Sequence, residues 1–457
     1  MKKSSLVSQA VSFVVCCILA LALTAASARA ATYFVATGGS DKNDGSMQSP
    51  WQTLQYAADT VGPGDTVIVK DGAYAGWHVY GKKGTAAAPI TFKAENPGRA
   101  TLNAASPKAS EKSIVDMRGN AESTNDYWVI DGFIIDGASK SFMTLDCRWV
   151  NYCTFRNITT KGSNSRGLYI SHGNNNLTEN CASYENDEHG SYQANASLHN
   201  AYVKNVCYKN RVNGMQANGD LSMGGNGIVL YTVYDKNTIY GNGAKGFNFD
   251  GACESTFMNN LLYNNESGGF ALFQIDAAKS ASDDLIYNNT VIQPAGSQWP
   301  VEIPSAAYNS APGPDPVGHK IRNNILIDAS GKGSIMVYDP HMKGLESDYN
   351  VVSDVFSVDD GKSTIDFAAW KKFGYDVHSI LSDPSFLFVN AAANDYHLKA
   401  GSPAIDAGAA LSEVPDDMDG TTRPQGKSFD IGCYEFKAAS TPAALSTDVK
   451  PESTGSK

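Results

Sequence analysis

Charged side chains are scarce in this chain, at 18% of 457 residues, and basic ones scarcest: 36 Lys and Arg face 47 Asp and Glu. The formal charge of -11 excludes the basic face that a nucleic-acid partner requires. It still permits an acidic polysaccharide, because a divalent cation bridges carboxylates on protein and sugar. Cysteine is sparse as well. Cys16 and Cys17 lie in an N-terminal apolar run, leaving Cys147, Cys153, Cys181, Cys207, Cys253 and Cys433. These are too few for a disulfide scaffold in so long a chain, and no CxxC pair marks a structural zinc site. After residue 23 no apolar run is long enough for a membrane-spanning helix.

The one long apolar run, Val11 to Leu23, follows Lys2 and Lys3 and precedes Ala28-Arg29-Ala30. A charged start, an apolar centre and an A-x-A site describe a secretory signal peptide over residues 1–30. No small-residue lipobox precedes Cys16 and Cys17, which argues against a lipid anchor. The expected mature protein begins near Ala31, carries a formal charge of -14 once Lys2, Lys3 and Arg29 are removed, and is a secreted monomer, extracellular or periplasmic.

Asparagine and glycine supply the dominant pattern. Asn157-Ile-Thr, Asn180-Cys-Ala, Asn205-Val-Cys, Asn237-Thr-Ile, Asn260-Leu-Leu, Asn289-Thr-Val and Asn324-Ile-Leu recur at spacings of 23, 25, 32, 23, 29 and 35. Asp131 precedes Asn157 by 26 and fits the same position; Asn186, Asn210, Asn242 and Asn265 form a second mark. The intervening runs are rich in Val, Ile, Tyr, Phe and Gly and lack a helical stripe. The period fits an all-β fold, one coil per repeat of a parallel β-solenoid, with asparagines stacked coil on coil at a bend. Asn157, Asn195 and Asn265 also satisfy the glycosylation sequon, but that would not generate a period.

The ends differ from this centre. Residues 31–115 read as an N-terminal cap and first coils, with a helix near Trp51–Asp59 and strands at Thr66–Val69 and Ile90–Lys93. Residues 116–340 are the expected β-helix core, and 341–437 are C-terminal coils and cap, containing the helix-like IDFAAWKKF. The Ser/Thr/Pro-rich residues 438–457 read as a disordered tail.

Three stretches carry a family likeness: GSDKNDGSMQSPWQTLQYAADTVGPGDTVIV, the Asn-punctuated coils, and SPAIDAG with DMDG, RP and FDIGCYE near the end. On these the chain resembles the secreted bacterial right-handed parallel β-helix proteins, the pectate lyase-like group of polysaccharide lyases. The resemblance implies a right-handed β-helix and activity on a polysaccharide. The paired aspartates, Gly-His-Gly and Arg-x-Lys of polygalacturonases are missing, as is the aspartate cluster with lysine of the calcium pectate lyases. Asp339-Pro340-His341 is similar to a phrase of the mannuronan epimerases.

Aligning on the glycine that opens each strand brings together Gly167, Gly190, Gly214, Gly246 and Gly269. Period two then turns Met215, Ala217, Phe247 and Phe249 inward and Gln216, Asn218, Asn248 and Asp250 outward. With Tyr169, His172, Tyr192, Asn195 and Gln274 they form the expected substrate-binding stripe, and Phe273 and Trp299 are further rings for stacking on sugars. Asp220, Asp250 and Asp276 lie 30 and 26 residues apart, close to one coil each, and are expected to stack as a Ca²⁺ site. Elimination from a uronate needs a group that neutralises the sugar carboxylate and a base for the adjacent C5–H. Ca²⁺ or Arg211 would supply the first. His189 would be the base and Tyr192 the acid, with Lys245 and Lys279 as rival bases. The reading is a polysaccharide lyase cleaving an acidic glycan. A hydrolase using Asp250 with Asp220 or Asp276, an epimerase and a non-catalytic glycan-binding protein are the alternatives. The Pro-rich GSQWPVEIPSAAYNSAPGPDPVGH is a candidate wall for the groove.

Overall fold

The computed structural model describes residues 30–437, apart from 110, 306–316 and 330. The expected signal peptide, save its last residue, and the expected disordered tail lie outside the described residues. Each coil contributes one short strand to each of three parallel sheets. Sheet 1 has 12 strands, from Thr32–Val35 to Glu346–Asp348; sheet 2 has 12, from Gly72–Ala75 to Ile380–Leu381; sheet 3 has 11, from His78–Tyr80 to Phe356–Ser357. This is a right-handed parallel β-helix. Large side chains fill the tube: Trp77, Trp128, Tyr202, Tyr234, Phe247, Phe249, Phe257 and Phe270 are all fully buried. Met215, Ala217, Phe247 and Phe249 point inward, as the alternation requires.

The corner between sheets 1 and 2 explains the repeat. Its first residue adopts a left-handed backbone, as in Asn157, Asn180, Lys204, Lys236, Asn259, Asn288, Asn323 and Tyr349. The next residue points inward, and from Asn205 onward it is asparagine in six consecutive coils: Asn205, Asn237, Asn260, Asn289, Asn324 and Asn350. Asn260 shows the logic. Its Oδ1 accepts from the backbone N–H and side-chain amide of Asn237, both at 2.9 Å, while its Nδ2 donates to Tyr234 O and Asn289 Oδ1. Both polar atoms of the Asn260 side chain thus find partners in the neighbouring coils.

Sequence alignment had placed seven asparagines in one column, and the structure corrects two of them. Asn157 and Asn180 occupy the exposed left-handed position, where Asn157 donates to Asp131 and Asn180 to Asn157. Asp131 itself pairs in register with Arg156, one place earlier still. Ile158 and Cys181 hold the inner position in those coils. The second mark, Asn186–Asn210–Asn242–Asn265, is a real ladder at the corner between sheets 2 and 3. A third, at the corner between sheets 3 and 1, has no single-letter signature: Asn176 and Asn200 give way to Thr232, Ser255 and Asp284.

Both ends are closed. The helix Leu54–Thr60, capped by Thr53, lays Leu54, Ala57 and Ala58 over the first coils. At the other end Phe367 and Trp370 of the helix Phe367–Lys371 are buried, and Trp370 stacks on Phe356 at 4.8 Å. Residues beyond 384 fold back along the outside of sheet 2, where Leu387, Phe388, Tyr396, Leu398 and Ile431 cover Leu261, Tyr263, Ile325 and Val351. All six cysteines are buried free thiols.

Asn260→Ala removes four hydrogen bonds and strands buried partners, so it is expected to lower stability by about 2–4 kcal/mol. Asn157→Gly, at an exposed left-handed position that glycine tolerates, is expected to cost less than about 1 kcal/mol. Urea denaturation of the two variants checks the contrast.

Candidate functional site

The outer face of sheet 3 gathers most of the chemistry-bearing side chains. Its strands are the longest of the coil, six residues in Met143–Arg148, Arg166–Ser171, Lys245–Asp250 and Gly268–Phe273. The pairings align one outward column: His78, Asp116, Asp146, Tyr169, Tyr192, Gln216, Asn248, Ala271, Glu302, Met336. Neighbours along it stand about 4.8 Å apart. The opening glycines are required by the packing. A Cβ on Gly190 would lie 2.7 Å from both Asn210 Nδ2 and Gly214 O, so the next coil could not close on it.

Tyr169 and Tyr192 meet edge to face at 5.4 Å, and the Arg166 guanidinium covers both rings, 5.2 and 4.6 Å from their centres. Arg166 Nε lies 3.2 Å from Glu188 Oε2, and Glu188 is steadied by Ser165 Oγ at 2.8 Å. Among the described residues neither terminal nitrogen of Arg166 has a hydrogen-bond partner. The His189 ring stands edge-on to Tyr192 at 5.3 Å, and the Asn213 N–H points at its Nδ1 from 3.4 Å. Burial, with Arg166 and Arg211 adding like charge, pulls the imidazole down to about 3, so it is neutral at any ordinary pH. Burial holds the Tyr192 hydroxyl well above its usual range, so it keeps its proton. Arg166 escaped the sequence reading. Its signal was present nonetheless, since Arg166 and His189 are the residues immediately before the strand glycines of consecutive coils.

The other expected residues divide. Gln216 and Asn248 are outward neighbours, with Gln216 Oε1 accepting from both Asn213 and Asn248 at 2.8 Å. Asn218 is outward one place further along its strand and donates to Asp276 at 3.3 Å. Lys245 lies farther along the face, ion-paired with Glu302 at 2.6 Å and donating to Ser267 O. Phe273 is half-buried in the outward position beside Asp250. Lys279 is half-buried in the segment after Asp276.

Several expectations about position do not survive. Arg211 sits in the corner between sheets 2 and 3, exposed and paired with Asp187 at 2.7 Å, away from the tyrosines' column. His172 and Asn195 are corner residues with left-handed backbones, and both are buried: His172 stacks on Trp149 at 4.3 Å and Asn195 Oδ1 accepts from Ser171. Gln274 is buried, bonded to Ala277 O and Ser280 Oγ. Trp299 is buried, and Val301–Ile303 after it form a sheet-3 strand; residues 306–316 of the Pro-rich stretch expected to wall the groove lie outside the described residues. Asp339-Pro340-His341 forms a short 3-10 turn after sheet 3, with His341 buried.

The aspartate column is also absent. Asp250 pairs in register with Asn218 and Phe273, neither Asp220 nor Asp276. Its two oxygens accept the backbone N–H groups of Ile275, Asp276 and Ala277 at 2.7, 2.6 and 3.4 Å. Asp220 caps the turn at Ser222. A carboxylate so engaged does not fit the ligand set a Ca²⁺ ion needs, and among the described residues no group of three His, Cys, Asp or Glu side chains is arranged to hold a metal.

A denser cluster adjoins Arg166. Arg118 reaches Asp116 and Asp146 at 2.7 Å each, Arg148 reaches Asp146 at 2.8 Å, and Glu111 bridges both arginines. Asp116 and Asp146 are fully buried beneath the guanidiniums.

The comparisons agree with this architecture. Residues 33–198 match the model of the Pel9A-like, right handed beta helix region. By fold, the chain is a right-handed parallel β-helix protein. The crystal structure of pectate lyase Pel9A superposes with a TM-score of 0.61 at 18% identity, covering 89% of this chain and 96% of that one. A rhamnogalacturonan lyase superposes at 0.53 and 18% identity, over 70% of this chain and 87% of the other. Pectate lyase L of Dickeya dadantii (strain 3937) is 25% identical over 198 residues, 41% of this chain. The match spans 40% of that relative's length. No helix among the described residues is long and apolar enough to cross a membrane.

The His189 shift sets a stability signature. The unfolded imidazole takes up a proton near pH 6.5, roughly its model value, whereas the folded one does so only near 3. Between these values the unfolded chain binds the extra proton, so this contribution is intact above pH ~6.5 and is lost as pH falls toward 3. Against His189→Gln, the wild-type advantage is expected to shrink by up to about 1.4 kcal/mol per pH unit across that window. Urea midpoints measured from pH 7 to 4 check it.

Proposed function

We propose that the outer face of sheet 3 binds an acidic polysaccharide and that the protein cleaves it by β-elimination at a uronate. One observation carries this reading: a guanidinium with unpartnered terminal nitrogens, Arg166, held between two tyrosine rings and beside a neutral histidine. The names of similar proteins, pectate lyase and rhamnogalacturonan lyase, support the choice of reaction and make pectate the first substrate to test.

Arg166 takes the role first given to Arg211 or Ca²⁺. Its free fork binds the uronate carboxylate and withdraws charge from it, which acidifies the C5–H. His189 accepts that proton at Nδ1, the nitrogen that keeps the lone pair at all working pH, and the long 3.4 Å contact from the Asn213 N–H gives way to the C5–H. Its low proton affinity costs driving force. A carboxylate bound to Arg166 cancels that part of the depression, and the larger part, due to burial, remains. Tyr192, held protonated, donates to the departing glycosidic oxygen. Gln216 and Asn248, on the next two coils, bind hydroxyls of the adjoining sugars. Lys245 stands two coils beyond His189, in the same place before its strand glycine, and is ion-paired with Glu302, so the lysine serves a more distant sugar than the one His189 attacks.

Incubation with pectate is expected to generate unsaturated products that absorb in the ultraviolet. Arg166→Ala is expected to lower kcat/KM by about 10²–10³, and Arg166→Lys by less. Reducing ends without that absorbance would identify a hydrolase, and retention on a pectate gel without product a binding protein. The acid limb of the kcat/KM profile is expected well below pH 6, since His189 stays unprotonated down to about 3; a limb near 6.5 would exclude it as the base.

A further inference from the structure

Two arginines next to the proposed centre already hold a carboxylate, and it is the protein's own. Arg118 and Arg148 stand on adjacent coils of sheet 3. From beneath they are anchored by Asp116 and Asp146, both fully buried. From above they share Glu111, whose Oε2 lies 3.2 Å from Arg118 and 3.0 Å from Arg148, with Oε1 3.3 Å from Arg118. Glu111 differs from the other two acids. Its side chain is 38% exposed, against 0% for both aspartates, and it belongs to irregular chain preceding the strand Val115–Arg118.

Position makes the contact more than a surface ion pair. Arg148 and Arg166 lie on the same Tyr169 ring, 5.4 and 5.2 Å from its centre. The carboxylate held by Arg118 and Arg148 is therefore one to two coils from the one Arg166 would hold, roughly 5–10 Å, the scale of one sugar unit. The charge count favours exchange. Two guanidiniums face three carboxylates, so an incoming anion that takes the place of Glu111 leaves the local charge unchanged, and the released side chain regains water. Glu111 is the one carboxylate of the three that solvent reaches, so its release leaves no buried charge unpaired. The buried aspartates keep both forks in place once Glu111 leaves.

We propose that Arg118 and Arg148 form a second anion subsite, that Glu111 is an internal stand-in for a substrate carboxylate, and that an acidic glycan enters by displacing it. The proposal rests on reading this face as the acidic-glycan site. It assigns the subsite to polymers with uronates on neighbouring sugars, and it makes Glu111 a built-in competitor.

The test is the affinity of the full chain for pectate and for the fully methyl-esterified polymer. Wild type is compared with Glu111→Gln, which keeps the shape and removes the charge, and with Glu111→Asp, which keeps the charge and loses the reach; thermal midpoints establish that each is folded. Both variants are expected to bind pectate about five- to tenfold more tightly, with affinity for the esterified polymer unmoved. Adding Arg148→Gln to Glu111→Gln is expected to abolish the gain. Unchanged or weaker pectate binding by both folded variants overturns the subsite. If wild type still forms unsaturated product in that case, the elimination reading stands alone. Tighter binding by the variants with no unsaturated product from wild type upholds the subsite and removes the elimination. Absence of binding to any polyuronate by all forms overturns both.

Discussion

Everything in this molecule depends on coil-to-coil register. Parallel backbone pairing fixes which residue stands above which, and the corner amides lock that choice. A coil shifted by one residue would turn Asn260 outward and carry a left-handed corner residue into the interior. Three separate ladders, at three corners, oppose such a slip. The cost of misregister is high because the amide groups lie inside, where water cannot replace a lost partner. The same constraint that holds the tube together also builds the outer face of sheet 3, since residues scattered over more than a hundred positions become neighbours only through register.

The fold was largely legible in the sequence, for a physical reason. A solenoid repeats its local chemistry, so one corner motif recurs often enough to be seen through coils of unequal length. The ambiguity lay in adjacent positions. Asparagine suits both the left-handed residue that opens the corner and the inward residue that follows, so Asn157 and Asn180 looked like members of a ladder that begins at Asn205. Only the hydrogen bonds separate the two positions. The third corner was invisible because amide, hydroxyl and carboxylate side chains share its work, and no letter repeats.

The makeup of the candidate face was legible in outline. Period-two alternation placed Tyr169, Tyr192, Gln216 and Asn248 on one face, because strands leave side chains no other option. Counting residues failed where the chain departs from the coil. Asp220, Asp250 and Asp276 have coil-like spacings, but the turns after Asn218 and Phe273 take up residues that belong to no strand. Asp250 turned to serve the backbone of one of those turns. Arg166 was missed for the opposite reason: its importance lies in what surrounds it, two rings and an acid from the next coil, and none of these is adjacent in sequence.

The six thiols are all interior, and burial raises their proton affinity, so each stays a protonated, unreactive space-filler. Cohesion in this tube therefore comes without covalent cross-links between coils. Reductants thus find no bond among the described residues on which the winding depends.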